Sequence, residues 1–258
     1  MSPSSNASDP TSASAALVTG GTRGIGREIA ARLAAAGYRV LVCGRRAPAD
    51  LPPGVSYTAA DVREPAEAAA AVATAVSSFG HLDLVVNNAG GSPAVPAATV
   101  SPNLVTAVVR LNLLAPFFVS QAANAVMQTQ PGGGLIVNIG SVSALRPAPG
   151  TAAYAAAKAG LETLTRALAL EWAPKVRVNT VTAGVVRTDD NAVHYGDEAA
   201  LAAVAATVPM GRMATPADIA DAVLLLASPL ATYLTGTSLL VDGGGQLPRY
   251  TDTARPTA

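Results

Sequence analysis

Cysteine is nearly absent from this chain of 258 residues. Cys43 stands alone, so no internal disulfide and no cysteine-rich metal site can form, and a reducing cytosol is the setting expected. Histidine is as scarce. His81 and His194 lie far apart, make no zinc-ligand set with one cysteine, and leave a serine nucleophile without an evident base. Lysine is limited to Lys158 and Lys175, which makes the position of each informative. Net charge is missing too: 17 basic residues cancel 17 acidic ones, so there is no basic footprint for nucleic acid or an anionic membrane. Apolar runs are interrupted by charge, Gly or Pro before the roughly 18 residues of a membrane span, and none is expected to cross one. Met1 to Ser14 is rich in Ser, Ala and Pro without a basic start or an apolar stretch, and reads as a disordered tail. Residues 15–258 then suffice for one domain.

What is present is an alternation. Short apolar, often β-branched runs occur at Ala15 to Thr19, Arg39 to Cys43, Val55 to Thr58, Leu82 to Val86, Leu135 to Ile139, Val176 to Val181 and Ser238 to Val241. Between the first two, Ile25, Ile29 and Leu33 recur at helical spacing and Gly37 ends the pattern. Strand, helix and strand make a βαβ unit, and its repetition predicts an α/β fold: a doubly wound Rossmann-type parallel sheet of about seven strands. Ligands of such sheets bind at the carboxyl ends of the strands. Thr188 to Pro209 is the least regular interior stretch; it reads either as a lid carrying Asp189, Asp190, His194 and Tyr195 or as an ordinary surface helix and loop.

The first strand runs into Thr19-Gly20-Gly21-Thr22-Arg23-Gly24-Ile25-Gly26, then directly into the helix. Glycines allow backbone to approach a pyrophosphate, and free N–H groups at a helix start attract it. Gly20, Thr22, Arg23, Gly24 and Ile25 are therefore candidate nucleotide contacts. The second strand ends in Gly44-Arg45-Arg46, without the acid that holds a ribose 2′-hydroxyl in many NAD enzymes. Arg45, helped by Arg23, can instead pair with a 2′-phosphate, which favours NADP(H) over NAD(H); two merely solvated arginines are the bland alternative. Asp61 and Val62 after the third strand would border the adenine, and Asn88, Ala89 and Gly90 after the fourth would pass beneath the ribose.

Tyr154 and Lys158 are four residues apart on one helical stretch and share a face. An ammonium beside a phenol lowers its pKa and makes tyrosine usable as an acid–base group near neutrality. With 6 tyrosines and two lysines in the chain, random placement gives roughly 0.05 such pairs. Ser141 follows the fifth strand directly, where its hydroxyl can donate to a carbonyl oxygen; Ser143 is a second candidate, and either can cap a turn. Asn112 is a polar residue in an apolar helical stretch that needs hydrogen bonds if buried, a bound water among them.

Together these residues resemble the short-chain dehydrogenase/reductase family from Ala15 to Gly244: Thr19 to Gly26 its TGxxxGxG turn, Asn87 to Gly90 its NNAG, Tyr154 to Lys158 its YxxxK. The resemblance, nearest to the 3-oxoacyl reductases, implies a catalytic tetrad of Asn112, Ser141, Tyr154 and Lys158. In it a nicotinamide supplies hydride to a ketone, Tyr154 the proton, Lys158 activation and a ribose contact, and Asn112 a relay water. It also implies nicotinamide contacts at Gly184, Val186 and Thr188, and a homotetramer, for which the apolar face of the Tyr154 to Trp172 helix is the surface expected. Gly211 to Ala220 and Thr235 to Gly244 resemble C-terminal signatures of the family. One departure is Ala183-Gly184 where the family has Pro-Gly, which removes a fixed φ. A nucleotide sensor that has lost its chemistry, or an NAD-dependent alcohol dehydrogenase, is the alternative; a serine hydrolase would want a G-x-S-x-G elbow, and Ile139-Gly140-Ser141-Val142-Ser143 is not one.

Overall fold

The structure is a computed structural model of the chain, describing residues 13–188 and 196–245. Seven strands form one parallel sheet in the order β3-β2-β1-β4-β5-β6-β7. They are β1 (Ala15–Thr19), β2 (Arg39–Gly44), β3 (Val55–Ala59), β4 (Leu84–Asn87), β5 (Gly134–Ser141), β6 (Val176–Ala183) and β7 (Ser238–Val241). All seven expected strands are present. The fourth begins two residues late because the backbone of Leu82 bonds to the Gln130 side chain at 2.8 and 2.9 Å rather than to a neighbouring strand. The tail expected over residues 1–14 lies outside the described residues up to position 12. Ser14 is already engaged, its carbonyl accepting from Arg39 N–H at 2.8 Å.

Helices α1 (Gly24–Ala35) and α7 (Pro216–Ala227) cover one face of the sheet. The helices α2 (Pro65–Phe79), α4 (Ala115–Met127) and α5 (Ala152–Trp172) cover the other. Ile29 and Leu33 of α1 pack on Val18, Val40 and Val42 with no exposed surface, as the helical spacing predicts. On the opposite face alanines of α2 and α4 bring those helices close over Leu17, Leu41, Val85 and Ile136. The chain reverses winding direction between β1 and β4, which are hydrogen-bonded neighbours with Val18 opposite Val86. Their carboxyl ends therefore flank the crevice where such sheets bind ligands.

Helix α3 (Pro102–Val109) joins α4 through a π-helical turn, Arg110–Leu114. The continuous helix Pro102–Met127 is long and apolar enough to cross a membrane by length and composition, which corrects the expectation that every apolar run is cut short. Arg110 in its middle pairs with Glu64 at 2.9 Å, and Val119, Ala123 and Met127 are fully buried, so the helix is a packed element of this core. Between Thr188 and Pro209, Asp189, Asp190, His194 and Tyr195 lie outside the described residues. The remainder contains the short helix α6 (Glu198–Ala206), capped by Asp197 and tied to Arg187 through Glu198 at 2.8 Å.

Candidate active site

The carboxyl ends of β1 and β4 are stitched together before any ligand is considered. Thr19 Oγ1 accepts from the N–H groups of Asn88 and Ala89, each at 3.0 Å, and Asn88 Nδ2 donates to the carbonyls of Thr19 and Gly20 at 3.0 and 3.1 Å. The Asn88 amide thus positions the glycine turn, and Ala89 and Gly90 present backbone to the crevice. Gly26 is required by contact: a Cβ there would lie 2.3 Å from Asn88 Nδ2 and 2.4 Å from the Gly20 carbonyl. Helix α1 starts without a side-chain cap and without an acid in its first turn, so its positive end has no internal anion. Such a cradle fits a pyrophosphate.

Arg45 is exposed just past β2, and Gly44 leaves room beside Thr22, whose Oγ1 would lie 3.6 Å from a Cβ built at that glycine. Across from it the Asp61 carboxylate is held by the Arg63 guanidinium, with Nε at 2.8 Å; this pair, with Arg45 nearby, keeps the acid below the usual carboxylate range. Val62 is buried in the core. Thr22, Arg23, Gly24 and Ile25 lie at the start of α1. The residues present fit a dinucleotide.

The reactive groups come from three elements. Helix α5 carries Tyr154 and, one turn on, Lys158, a residue only 4% exposed whose Nζ lies 5.8 Å from the Tyr154 ring centroid. Lys158 Nζ donates to the Ile139 carbonyl at 2.8 Å, and burial pushes its pKa down to about 8. Strand β5 ends at Ser141, whose Oγ accepts from Ser143 N–H at 3.2 Å and caps the turn Val142–Ala144. The turn-capping reading of Ser141 is therefore observed, and the hydroxyl, having accepted that bond, still carries a proton.

Asn112 is fully buried in the π turn. Nδ2 donates to the carbonyls of Gly91 and Val108, both at 2.9 Å, while Oδ1 accepts from Gly91 N–H at 2.9 Å. Backbone groups thus take both amide protons and one lone pair of the oxygen, the fourth of its hydrogen-bonding positions being an acceptor site. A Cβ at Gly90 would lie 2.9 Å from Asn112 Oδ1 and 3.4 Å from Lys158 Nζ. Only a glycine leaves space where those two groups and the β4 loop converge.

Gly184, Val186 and Thr188 leave β6 on the same edge. Ala183, in the position of the missing proline, continues the strand between Ser141 and Val241, so sheet pairing fixes the backbone that a ring would have fixed. A single bridge joins Val186 to Ala214, and Gly184 packs on Asp242. Three contributors escaped the sequence: the Ile139 carbonyl, the Gly91 backbone, and the Arg146–Asp242 pair at 2.6 Å that ties the Ser141 loop to the turn after β7. Two are backbone atoms, which no residue type announces; Arg146 lacked any spacing that would link it to Asp242.

Residues 20–246 match the family described as Enoyl-(Acyl carrier protein) reductase. The chain is 39% identical over 252 residues, 93% of this chain and 99% of the other, to a protein assigned as ketoacyl reductase 2 of the granaticin polyketide synthase of Streptomyces violaceoruber. It is 36% identical over 243 residues to the 3alpha-hydroxysteroid dehydrogenase of Mediterraneibacter gnavus, covering 90% of this chain and 96% of that one. Among solved structures, the 3-ketoacyl-(acyl-carrier-protein) reductase of Brucella melitensis, complexed with NADH, aligns with a TM-score of 0.82 at 30% identity, covering 90% of this chain and 97% of that one. The chain belongs to the short-chain dehydrogenase/reductase family. It is an NAD(P)-dependent oxidoreductase acting on CH–OH groups or the corresponding ketones. In this chain Lys158 stands beside the Tyr154 ring and meets Asn112 at Gly90, and Ser141 ends β5.

Proposed function

We propose that this enzyme reduces a ketone to a secondary alcohol with NADPH, with Tyr154 as proton donor. A nicotinamide cofactor, when bound, would supply the hydride. The Ser141 hydroxyl donates to the substrate carbonyl and orients it, and the Tyr154 hydroxyl delivers its proton to that oxygen as charge develops there. Lys158 at a pKa of about 8 is still an ammonium at pH 7, and its field favours the tyrosinate left behind. Asn112 holds the Gly91 backbone, and through it the loop that borders Lys158. Gly20, Thr22, Arg23, Gly24 and Ile25 would hold the pyrophosphate end, Asp61, Val62, Asn88, Ala89 and Gly90 the adenosine end, and Gly184, Val186 and Thr188 the nicotinamide. The observation that carries this reading is the convergence of buried Lys158 with Asn112 at Gly90.

Tyr154→Phe should lower single-turnover reduction by roughly 10²- to 10⁴-fold with NADPH affinity nearly unchanged. Retention of more than about a tenth of the rate would move the nucleotide-sensor reading ahead. For the cofactor, Arg45 beyond β2 is the support, and Arg45→Asp should shift the ratio of NADPH to NADH dissociation constants toward NADH. A native preference for NADH would end the NADP assignment and favour an NAD-dependent alcohol dehydrogenase. A cytosolic homotetramer belongs to the same proposal. Helix α5 buries Leu161 and Leu168 in its own core and turns Leu170 outward at 85% exposure, so the outer face of α5 is the contact surface favoured. Monomers in light scattering would count against it.

A further inference from the structure

Strands β5 and β7 are not neighbours: β6 lies between them, with Ser141 paired to Ala183 and Ala183 to Val241. A side chain nevertheless joins their carboxyl ends. Arg146, in the loop that follows Ser141, crosses the end of β6 and donates from Nη2 to Asp242 Oδ2 at 2.6 Å. The Asp242 side chain is 7% exposed and that of Arg146 43%, so the acid sits inside and the arginine closes over it. Such a charge-assisted bond to a nearly dry carboxylate is stronger than a solvated surface pair.

Each end of the bond holds a turn. On the β5 side the N–H groups of Leu145 and Arg146 donate to the Val142 carbonyl at 2.9 and 2.7 Å, closing the turn that Ser141 Oγ caps through Ser143 N–H. On the β7 side Asp242 is followed by Gly243, Gly244 and Gly245 at φ of +65°, +93° and +84°, a run with no side chains of its own to keep it in place. Asp242 Oδ1 accepts from Gly244 N–H at 3.2 Å, and Gly245 lies so near the guanidinium that a Cβ there would be 2.4 Å from Arg146 Nη1. Two further segments rest on this turn. A Cβ at Gly184 would lie 2.7 Å from Asp242 Cα, and Met210 N–H, in the chain after α6, donates to the Gly243 carbonyl at 3.2 Å. One carboxylate therefore links the serine turn to the loop assigned to the nicotinamide and to the segment beyond α6.

We propose that Arg146 is a positioning residue for ketone reduction, a strap that holds, through Asp242, the turn that orients the Ser141 hydroxyl. The proposal deepens the ketoreductase reading and rests on Ser141 as the carbonyl donor. An untied turn keeps the hydroxyl in place for only a fraction of the time, and apparent affinity for the ketone falls by that fraction. The test measures kcat and KM with NADPH on ethyl acetoacetate, benzylacetone and a 3-oxosteroid. The proteins compared are the native enzyme, Arg146→Met, Arg146→Lys and the double variant Arg146→Met/Asp242→Asn, each checked for folding by thermal melt. Hydrogen exchange of the amides in residues 142–146, read by mass spectrometry on the cofactor-free proteins, reports the turn itself. Arg146→Met should speed that exchange and raise KM about tenfold, with kcat within about threefold and the NADPH dissociation constant within about twofold of native. Arg146→Lys should recover part of the loss, because an ammonium keeps the charge without the planar fork. The double variant separates a strap from simple neutralisation of a buried acid: it strands no charge, so it folds even where Arg146→Met does not, yet its turn stays untied. Fast exchange and a raised KM in the double variant are therefore expected. Return of native exchange and KM in the double variant, or native values in Arg146→Met, overturns the proposal and leaves the ketoreductase reading standing. A native protein that binds NADPH but turns over none of the ketones overturns that reading, and the positioning role falls with it.

Discussion

Burial of Lys158 should be visible as a pH dependence of folding stability that its removal abolishes. The ammonium lies in the interior with the Ile139 carbonyl as its hydrogen-bond acceptor, and desolvation lowers its pKa from 10.5 to about 8. In the unfolded chain the group returns to its ordinary value, so between pH 8 and 10.5 the unfolded state binds more protons than the folded one. Stability contributed by this residue therefore rises with pH through that window, while below pH 8 the full cost of the buried charge is present. The linkage gives a rise of about 2 to 3 kcal/mol between pH 7 and pH 10. Lys158→Met keeps an unbranched chain of similar length without the charge. Urea unfolding of the cofactor-free protein and the variant, each measured across that range, gives the difference directly, because contributions from groups such as Tyr38 are common to both and cancel. A difference that stays flat from pH 7 to pH 10 would refute the reasoning. The same titration predicts that the reductive rate of the native enzyme declines as pH rises through about 8, since the ammonium beside the tyrosine is then lost.

Gly26→Ala should weaken NADPH binding by at least about tenfold in a fluorescence titration, because the added carbon collides with the Asn88 amide and the Gly20 carbonyl and must push the phosphate turn aside. Native affinity in a folded variant would show that the turn does not hold the nucleotide. Asn112→Ala removes the partner of the Val108 carbonyl in the interior and frees the exposed Gly91 loop, and should cost about 1 to 3 kcal/mol in urea unfolding while slowing turnover. Unchanged stability would mean that water replaces the amide without loss.

The sheet was legible because its signal is periodic. Runs such as Leu17-Val18 and Val40-Leu41-Val42 are buried on both faces, and a run buried on both faces has to be continuously apolar in sequence. The Tyr154–Lys158 pair was legible for a different reason: lysine is so rare here that its placement one helical turn from a tyrosine stands out against the arginine background. What the sequence withheld was mostly carried by backbone. Neither the π turn at Arg110–Leu114 nor the carbonyl that receives Lys158 has a side-chain signature. The long helix Pro102–Met127 was missed because Arg110 and Pro116 look like interruptions. The π turn accommodates the break in regular spacing, and Pro116 falls in the first turn of α4.

A second polar system explains how Tyr154 and Lys158 are held at a fixed rotation of their helix. Apolar contacts alone do not select one rotation sharply, since alanine-rich faces slide over one another at small cost. Across the core beneath the site, Asn87 Nδ2 of β4 donates to Ser120 Oγ of α4 at 2.9 Å and to Asn138 Oδ1 of β5 at 2.8 Å. Asn138 Nδ2 then donates to Thr165 Oγ1 of α5 at 2.9 Å, and Thr165 shares a 2.8 Å hydrogen bond with Thr180 of β6. All five residues are buried, so none can exchange its partner for water. Thr165 lies seven residues beyond Lys158, two helical turns on the same face, and any rotation of α5 that moved the lysine would also break this chain of bonds. Among the described residues Asn87 Oδ1 meets no partner, a cost that an apolar residue would avoid. A core selected for stability alone has no use for that arrangement. A core that must hold an ammonium within 5.8 Å of a tyrosine ring centroid does, because the network fixes the one helix that carries both.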